Sequence, residues 1–232
     1  VNNAAKMRYM FGGQVKVPFT MMTRIGAGFG AAAQHSESYY SIFSHFPGLK
    51  GVAPSDAYTA KGLLAAAIRD DDPVVFFEHK GLYGEKGAVP EEAYILPLGK
   101  ARTVKEGTDI TLVGISKMTW VCTAASEELI KAGIDAEVID LLSVSPIDYD
   151  HILDSVRRTH RLVVVDEDTP ICSLAADICA RVAEEAFDYL DAPPSRVTAP
   201  HTPVPYSRAL ENNYVPNPER VIKLVNDLIS RS

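Results

Sequence analysis

Residues 55–79 read SDAYTAKGLLAAAIRDDDPVVFFEH, and this stretch decides the fold. Ala57, Ala60, Leu63, Leu64 and Ala67 recur at helical spacing, so one apolar face of a helix is predicted, with Ser55 as its N-cap. Pro73 follows the helix, and VVFFEH is a short apolar run suited to a strand covered on both faces. A helix feeding a buried strand is half of a βαβ unit, and the neighbouring sequence supplies the rest. Upstream, VKVPFTMMTR is extended, SESYYSIFSHF is a helix with Ser36 as its cap, and LKGVAPS is a short strand. From residue 109 the alternation resumes. DITLVGIS, AEVIDLLSV, RLVVVDED and SRVTAPH are predicted strands, separated by helices and followed by the helix NPERVIKLVNDLIS. Near-continuous Val, Ile and Leu in these strands point to a parallel sheet with helices on both faces. Residues 80–108, rich in glycine and without periodicity, read as a connecting segment with room for a short β-hairpin.

The 232 residues carry 23 basic and 30 acidic side chains, a net charge of −7, which disfavours nucleic acid and anionic membrane as partners. No apolar run approaches the ~20 residues that span a bilayer. Cys122, Cys172 and Cys179 are an odd number in apolar or helical contexts, read as buried thiols in a reducing compartment. Cys172 and Cys179 are spaced to share a helix face. The opening VNNAAKMRYMFGG reads as the end of a helix stopped by Gly12-Gly13, which implies sequence upstream.

Three clusters are candidates for chemistry. Gly26-Ala27-Gly28-Phe29-Gly30-Ala31 satisfies the loose dinucleotide pattern G-x-G-x-x-A. The expected acidic residue ~20 positions on is absent, since position 46 is Phe46. A loop where glycines permit close backbone approach is the competing reading. Just beyond it, His35 stands in a polar run, and its side-chain type suits proton transfer near neutrality, although a solvated loop histidine has the same appearance. The acidic run Asp70-Asp71-Asp72 ends a helix, against the dipole, and is either a solvated terminus or an oxygen site for a cation. Asp166-Glu167-Asp168 close a strand where α/β sites often lie, with loop anchoring as an equal alternative.

The ordered series AAKMRYMFGGQ, VPFTMM, AAAQHSESYYSIFSHFPGLKGVAPS, DAYTAKGLLAAAIRDDDPVVFFEHKGLY, VPEEAYILPLGKA, LLSVSPID, HRLVVVDED and VTAPHTPVPYS resembles one family across the whole chain. That family is the beta subunit of the thiamine-diphosphate-dependent decarboxylating component of 2-oxo acid dehydrogenase complexes, of pyruvate, branched-chain and acetoin type. FFEHK and APHTPVPYS lean toward the acetoin type. The resemblance implies an α/β fold: residues 1–84 as the C-terminal part of a transketolase-type pyrimidine-binding domain, 85–104 as linker, and 105–232 as a transketolase C-terminal domain. It implies an alpha subunit as partner in a heterotetramer, self-association through beta chains, and a lipoyl acyltransferase. It also implies thiamine diphosphate shared with the alpha chain, which holds the magnesium. His35 matches the family's active-site histidine, and Phe19, Ala67, Ile68, Asp70 and Asp72 match positions that hold potassium in some members. The compartment implied is cytoplasmic in a bacterium and the mitochondrial matrix in a eukaryote.

The family's cofactor-activating glutamate falls upstream of residue 1, so the 232 residues taken alone are expected not to decarboxylate. Three rivals stand beside the main reading. A transketolase-like enzyme would carry its own diphosphate-binding domain. A non-catalytic truncated scaffold would bind an alpha subunit or acyltransferase without thiamine-dependent turnover. A nicotinamide-binding domain would quench Trp120 fluorescence on adding NADH.

Overall fold

The computed structural model describes residues 1–230 as two α/β units. Helix α1 (Asn2–Met10) precedes strand β1 (Thr20–Ile25). After a glycine loop come the short helix α2 (Tyr40–Ser44), β2 (Lys50–Val52), α3 (Ala57–Arg69) and β3 (Val74–His79). The second unit holds β4 (Arg102–Lys105), β5 (Ile110–Gly114), α4 (Met118–Leu129), β6 (Ala136–Asp140), β7 (Ser143–Ser145) and α5 (Tyr149–Thr159). It continues with β8 (Leu162–Asp166), α6 (Leu174–Glu185), β9 (Ser195–Thr198), α7 (Arg208–Tyr214) and α8 (Pro218–Ile229).

The first sheet has the order β1-β3-β2-β7, with β1, β3 and β2 parallel and β7 antiparallel to β2. The second has the order β4-β6-β5-β8-β9, parallel except for the antiparallel edge strand β4. Both predicted blocks are therefore sheets, and the parallel character follows from strands such as β5, β6 and β8, buried along their whole length. One core cluster joins them: Ile25, Tyr40, Val75 and Phe77 from the first sheet's side pack with Val113, Ile139, Ile152 and Ile178 from the second.

Several local expectations are corrected. AEVIDLLSV is two strands rather than one: Leu142 turns through a left-handed φ of 54°, and Ser143–Ser145 cross to the first sheet to pair with β2. Ser55 does not cap α3, because its hydroxyl is spent on Asp140 at 2.5 Å. Asp56 takes the role instead, accepting from Thr59 N–H at 2.7 Å in a capping box. Ser36 does not start a helix either. It closes a 3-10 turn at Ala33–His35, and α2 begins only at Tyr40, where tertiary bonds to the Tyr40 and Ser41 hydroxyls fix the chain. The segment 80–108 forms no hairpin: β4 pairs with β6, and so extends the second sheet from inside the span read as linker. Cys172 is exposed and precedes α6, so it shares no helix face with Cys179. Helix α7 had no sequence expectation at all.

Candidate active site

The C-terminal end of β1 releases the glycine loop, and the C-terminal end of β3 releases His79 beside it. Gly26 has φ 99°, and a Cβ there would stand 2.3 Å from His79 Nε2, so glycine is required by both backbone and space. The His79 ring is buried and held at both nitrogens. Gly81 N–H donates to Nδ1 at 3.0 Å, which leaves Nε2 as the protonated atom, donating to Glu167 Oε2 at 2.8 Å. The other oxygen of Glu167 accepts from Ala27 N–H at 2.6 Å.

Glu211, on α7, completes the arrangement. Its Oε1 accepts from Gly28 N–H at 2.7 Å and from Phe29 N–H at 3.2 Å, and its Oε2 accepts from Gly30 N–H at 2.8 Å. The amides that a dinucleotide pyrophosphate would need are therefore already bound by carboxylates of the same chain. This settles the loop's reading: the glycines let the backbone lie against the His79 ring and the two carboxylates, and the amides from Ala27 to Gly30 are not open to a phosphate.

His35 follows on the 3-10 turn and is exposed, with its carbonyl oxygen accepting from the Lys80 ammonium. Burial lowers the Lys80 pKa, while the charges of Glu167 and Glu211 act to raise it. Beyond His35 the chain forms one wall of a cleft of about 810 Å³, faced by Asp168, Ile171 and His201 from the second unit. Ser36 and Ser38 line it, and their buried hydroxyls have no hydrogen-bond partner. Asp166 lies beneath: the Tyr40 hydroxyl donates to its Oδ1, and Ala175 N–H to Oδ2 at 3.2 Å. Burial pushes its carboxyl up to about 6. Ser41 donates to Asp168 at 2.5 Å. Asp166, Glu167 and Asp168 thus anchor the loops of the first unit, the loop-anchoring alternative of the sequence reading.

The acidic run behaves differently from the ion site that the resemblance implies. Lys50 Nζ bonds both Asp70 carboxylate oxygens at 2.8 Å and lies 3.3 Å from Asp72, while Arg8 reaches Asp72 at 2.9 Å. The carbonyl oxygens of Phe19 and Ala67 accept from Val74 and Asp70 N–H at 2.9 and 3.3 Å, and Ile68 is exposed. The two carboxylates serve the chain's own cations, so they do not fit an ion that needs them as ligands. Among the described residues no group of three or more His, Cys, Asp or Glu is placed to hold a metal.

Sequence reasoning singled out His35, which the structure places exposed beyond the glycine loop, and the Asp166–Asp168 cluster, which anchors the loops of the first unit. It missed His79, Lys80 and above all Glu211, whose partners lie about 180 residues away and leave no spacing to read.

Comparison with known proteins agrees with the architecture. The transketolase pyrimidine-binding domain matches residues 1–86, and the transketolase C-terminal domain matches residues 99–221. The beta subunit of acetoin:2,6-dichlorophenolindophenol oxidoreductase from Bacillus subtilis is 52% identical over 99% of this chain and 67% of its own length. Its counterpart from Cupriavidus necator is 50% identical over 95% of this chain and 65% of its own length. The mitochondrial pyruvate dehydrogenase E1 component subunit beta-1 of Arabidopsis thaliana is 46% identical, covering 96% of this chain and 62% of that protein. The chain thus spans about two thirds of the length of these relatives. A solved split-gene transketolase, described as an inactive beta4 tetramer, shares the fold with a TM-score of 0.77. It covers 98% of this chain and 73% of its own at 21% identity. The chain belongs to the transketolase-type family that includes the beta subunits of acetoin oxidoreductases and of the pyruvate dehydrogenase E1 component.

Proposed function

We propose that this chain is the larger part of the beta subunit of a thiamine-diphosphate-dependent dehydrogenase. It acts on acetoin or a 2-oxo acid and passes the acyl fragment to a lipoyl group. The observation that carries the reading is the treatment of His35. Four amides of the loop that leads to it, Ala27 to Gly30, are tied to buried carboxylates, while the imidazole itself is left exposed beyond the end of the parallel strands. In α/β folds that end is where ligands bind. An exposed imidazole on a fixed loop can deliver and recover a proton near neutrality.

The glycine loop does not fit a diphosphate, because its amides are occupied. That supports an alpha subunit as the holder of the diphosphate and of its magnesium, with this chain contributing the proton-handling side of the site. Thiamine diphosphate, when bound, supplies the carbanion chemistry. His35 then carries protons to and from the reacting fragment and assists its transfer to the lipoyl group. The greater identity to the acetoin relatives favours acetoin over pyruvate as substrate.

The test is reconstitution of the full-length beta polypeptide with an alpha subunit of the family. Turnover of acetoin, dependent on thiamine diphosphate and coupled to an artificial electron acceptor, is the expected result. Stable assembly with no turnover on acetoin, pyruvate or branched 2-oxo acids would instead make the chain a scaffold.

A further inference from the structure

We propose that Glu211 is a positioning residue for His35: an internal anion, carried by the second unit, that seats the glycine loop and so fixes the turn that presents the imidazole. The inference rests on the role given to His35 above.

Three successive amides, of Gly28, Phe29 and Gly30, converge on the one carboxylate, and Glu211 is buried against them although most of its helix is exposed. Successive N–H groups aimed at one point form an anion-binding nest, and a carboxylate is the anion that a protein can supply to it. The loop has no regular structure of its own to hold this shape. Gly26, Gly28 and Gly30 have φ of 99°, 103° and 64°. Ala32 then adopts φ 60° and ψ −175°, a region almost reserved for glycine. A strained non-glycine residue persists only where its surroundings over-determine it, and Ala32 starts the turn that bears His35. Between them, Glu211 and Glu167 fix the four amides from Ala27 to Gly30. The Lys80 ammonium, acted on by both carboxylates, holds the His35 carbonyl on the other side. Loss of the Glu211 charge therefore frees the loop at three points while leaving the His35 side chain chemically unchanged.

The experiment uses the assembled enzyme with its alpha subunit and compares Glu211→Gln, His35→Gln and the double variant. Glu211→Gln keeps the volume but turns a donor toward the amides. Its kcat is expected to fall about 10- to 100-fold, the scale of a small misplacement of a reacting group, with KM changed less than about threefold. Added to His35→Gln, it should cost nothing further. Amide exchange in residues 26–35 should speed up about 10-fold or more while the central strands of the second sheet are unchanged. In Glu211→Gly, formate should refill the nest and restore at least part of both kcat and protection. Additive losses in the double variant, or loop exchange like that of the wild type, would overturn the inference. If His35→Gln is impaired and Glu211→Gln is not, only the positioning role falls. If His35→Gln loses nothing, the role of His35 itself falls and takes this inference with it.

Discussion

In the five-stranded sheet, β5, β6 and β8 are buried from end to end, and helices cover both faces. In the four-stranded sheet, β1 is fully buried only at Ile25, and β7 is lent by the other unit. The exposed His35 lies on the second of these. The groups that hold its loop (Glu167 and Glu211) and the chain beyond it (Asp166 and Asp168) all belong to the unit built on the first, Glu211 on its helix α7 and the others at the end of β8. A well-buried unit can carry carboxyl groups beyond its strand ends and use them to hold a less regular neighbour. The loop so held can then adopt a shape that its own sequence would not maintain.

The hardest blow to this arrangement should come from Gly26→Ala. A left-handed φ and a Cβ pressed into the His79 ring are expected together to cost about 3 kcal/mol or more. Denaturant unfolding would measure it, and a loss under 1 kcal/mol would mean that the His79–Glu167 contact yields easily. Tyr40→Phe comes next. It strips Asp166 of its hydroxyl donor where no cation is bonded to it, at a cost of about 1–3 kcal/mol. The parallel change Ser55→Ala should cost less, since Asp140 keeps Arg102 Nε at 3.1 Å and Thr119 at 3.0 Å. Equal losses would erase the distinction between the two buried aspartates.

A pH series sharpens the same point. Burial raises the Asp166 carboxyl from an ordinary 3.8 to about 6, so the folded chain keeps a proton that the unfolded chain releases. Protons bound to the folded state exceed those bound to the unfolded state across that window, so stability falls as pH rises through it and returns as pH falls. The contribution is on the order of 3 kcal/mol between about pH 4 and pH 7. Asp166→Asn lacks it, so the stability of the wild type relative to the variant should grow on acidification. A pH-independent difference would mean that folding leaves the Asp166 carboxyl at its ordinary value. The smallest effect is expected at Ala32→Gly, where relief of backbone strain offsets the usual glycine penalty, and the net change should lie within about 0.5 kcal/mol.

Much of this molecule was legible in the sequence, for identifiable reasons. VVFFEH, DITLVGIS and RLVVVDED are strands because continuous apolar runs of that length have no other way to be buried on both faces, and α3 follows from one apolar stripe. The caps were harder, because Ser55, Ser36 and Asp56 are all competent N-caps and tertiary contacts chose among them. The crossing of Ser143–Ser145 to the other sheet depends on a single left-handed residue, Leu142, which no periodicity marks. His35 was visible as a residue type in a polar run, and its family match singled it out. Its support was not, because Glu211 lies about 180 residues from the glycine loop and no spacing marks the contact.

The most direct test of the account is the acyl-transfer rate of the assembled enzyme carrying His35→Gln, read beside its melting temperature. Because the imidazole is exposed and only the His35 backbone is bonded, the melting temperature should stay within about 2 °C of the wild type, as for other surface changes. Transfer to lipoamide should fall about 100-fold or more, the usual scale for loss of a general acid–base group. A wild-type rate with an unchanged melting temperature would contradict the account, since the residue presented by the whole network would then have no part in the chemistry.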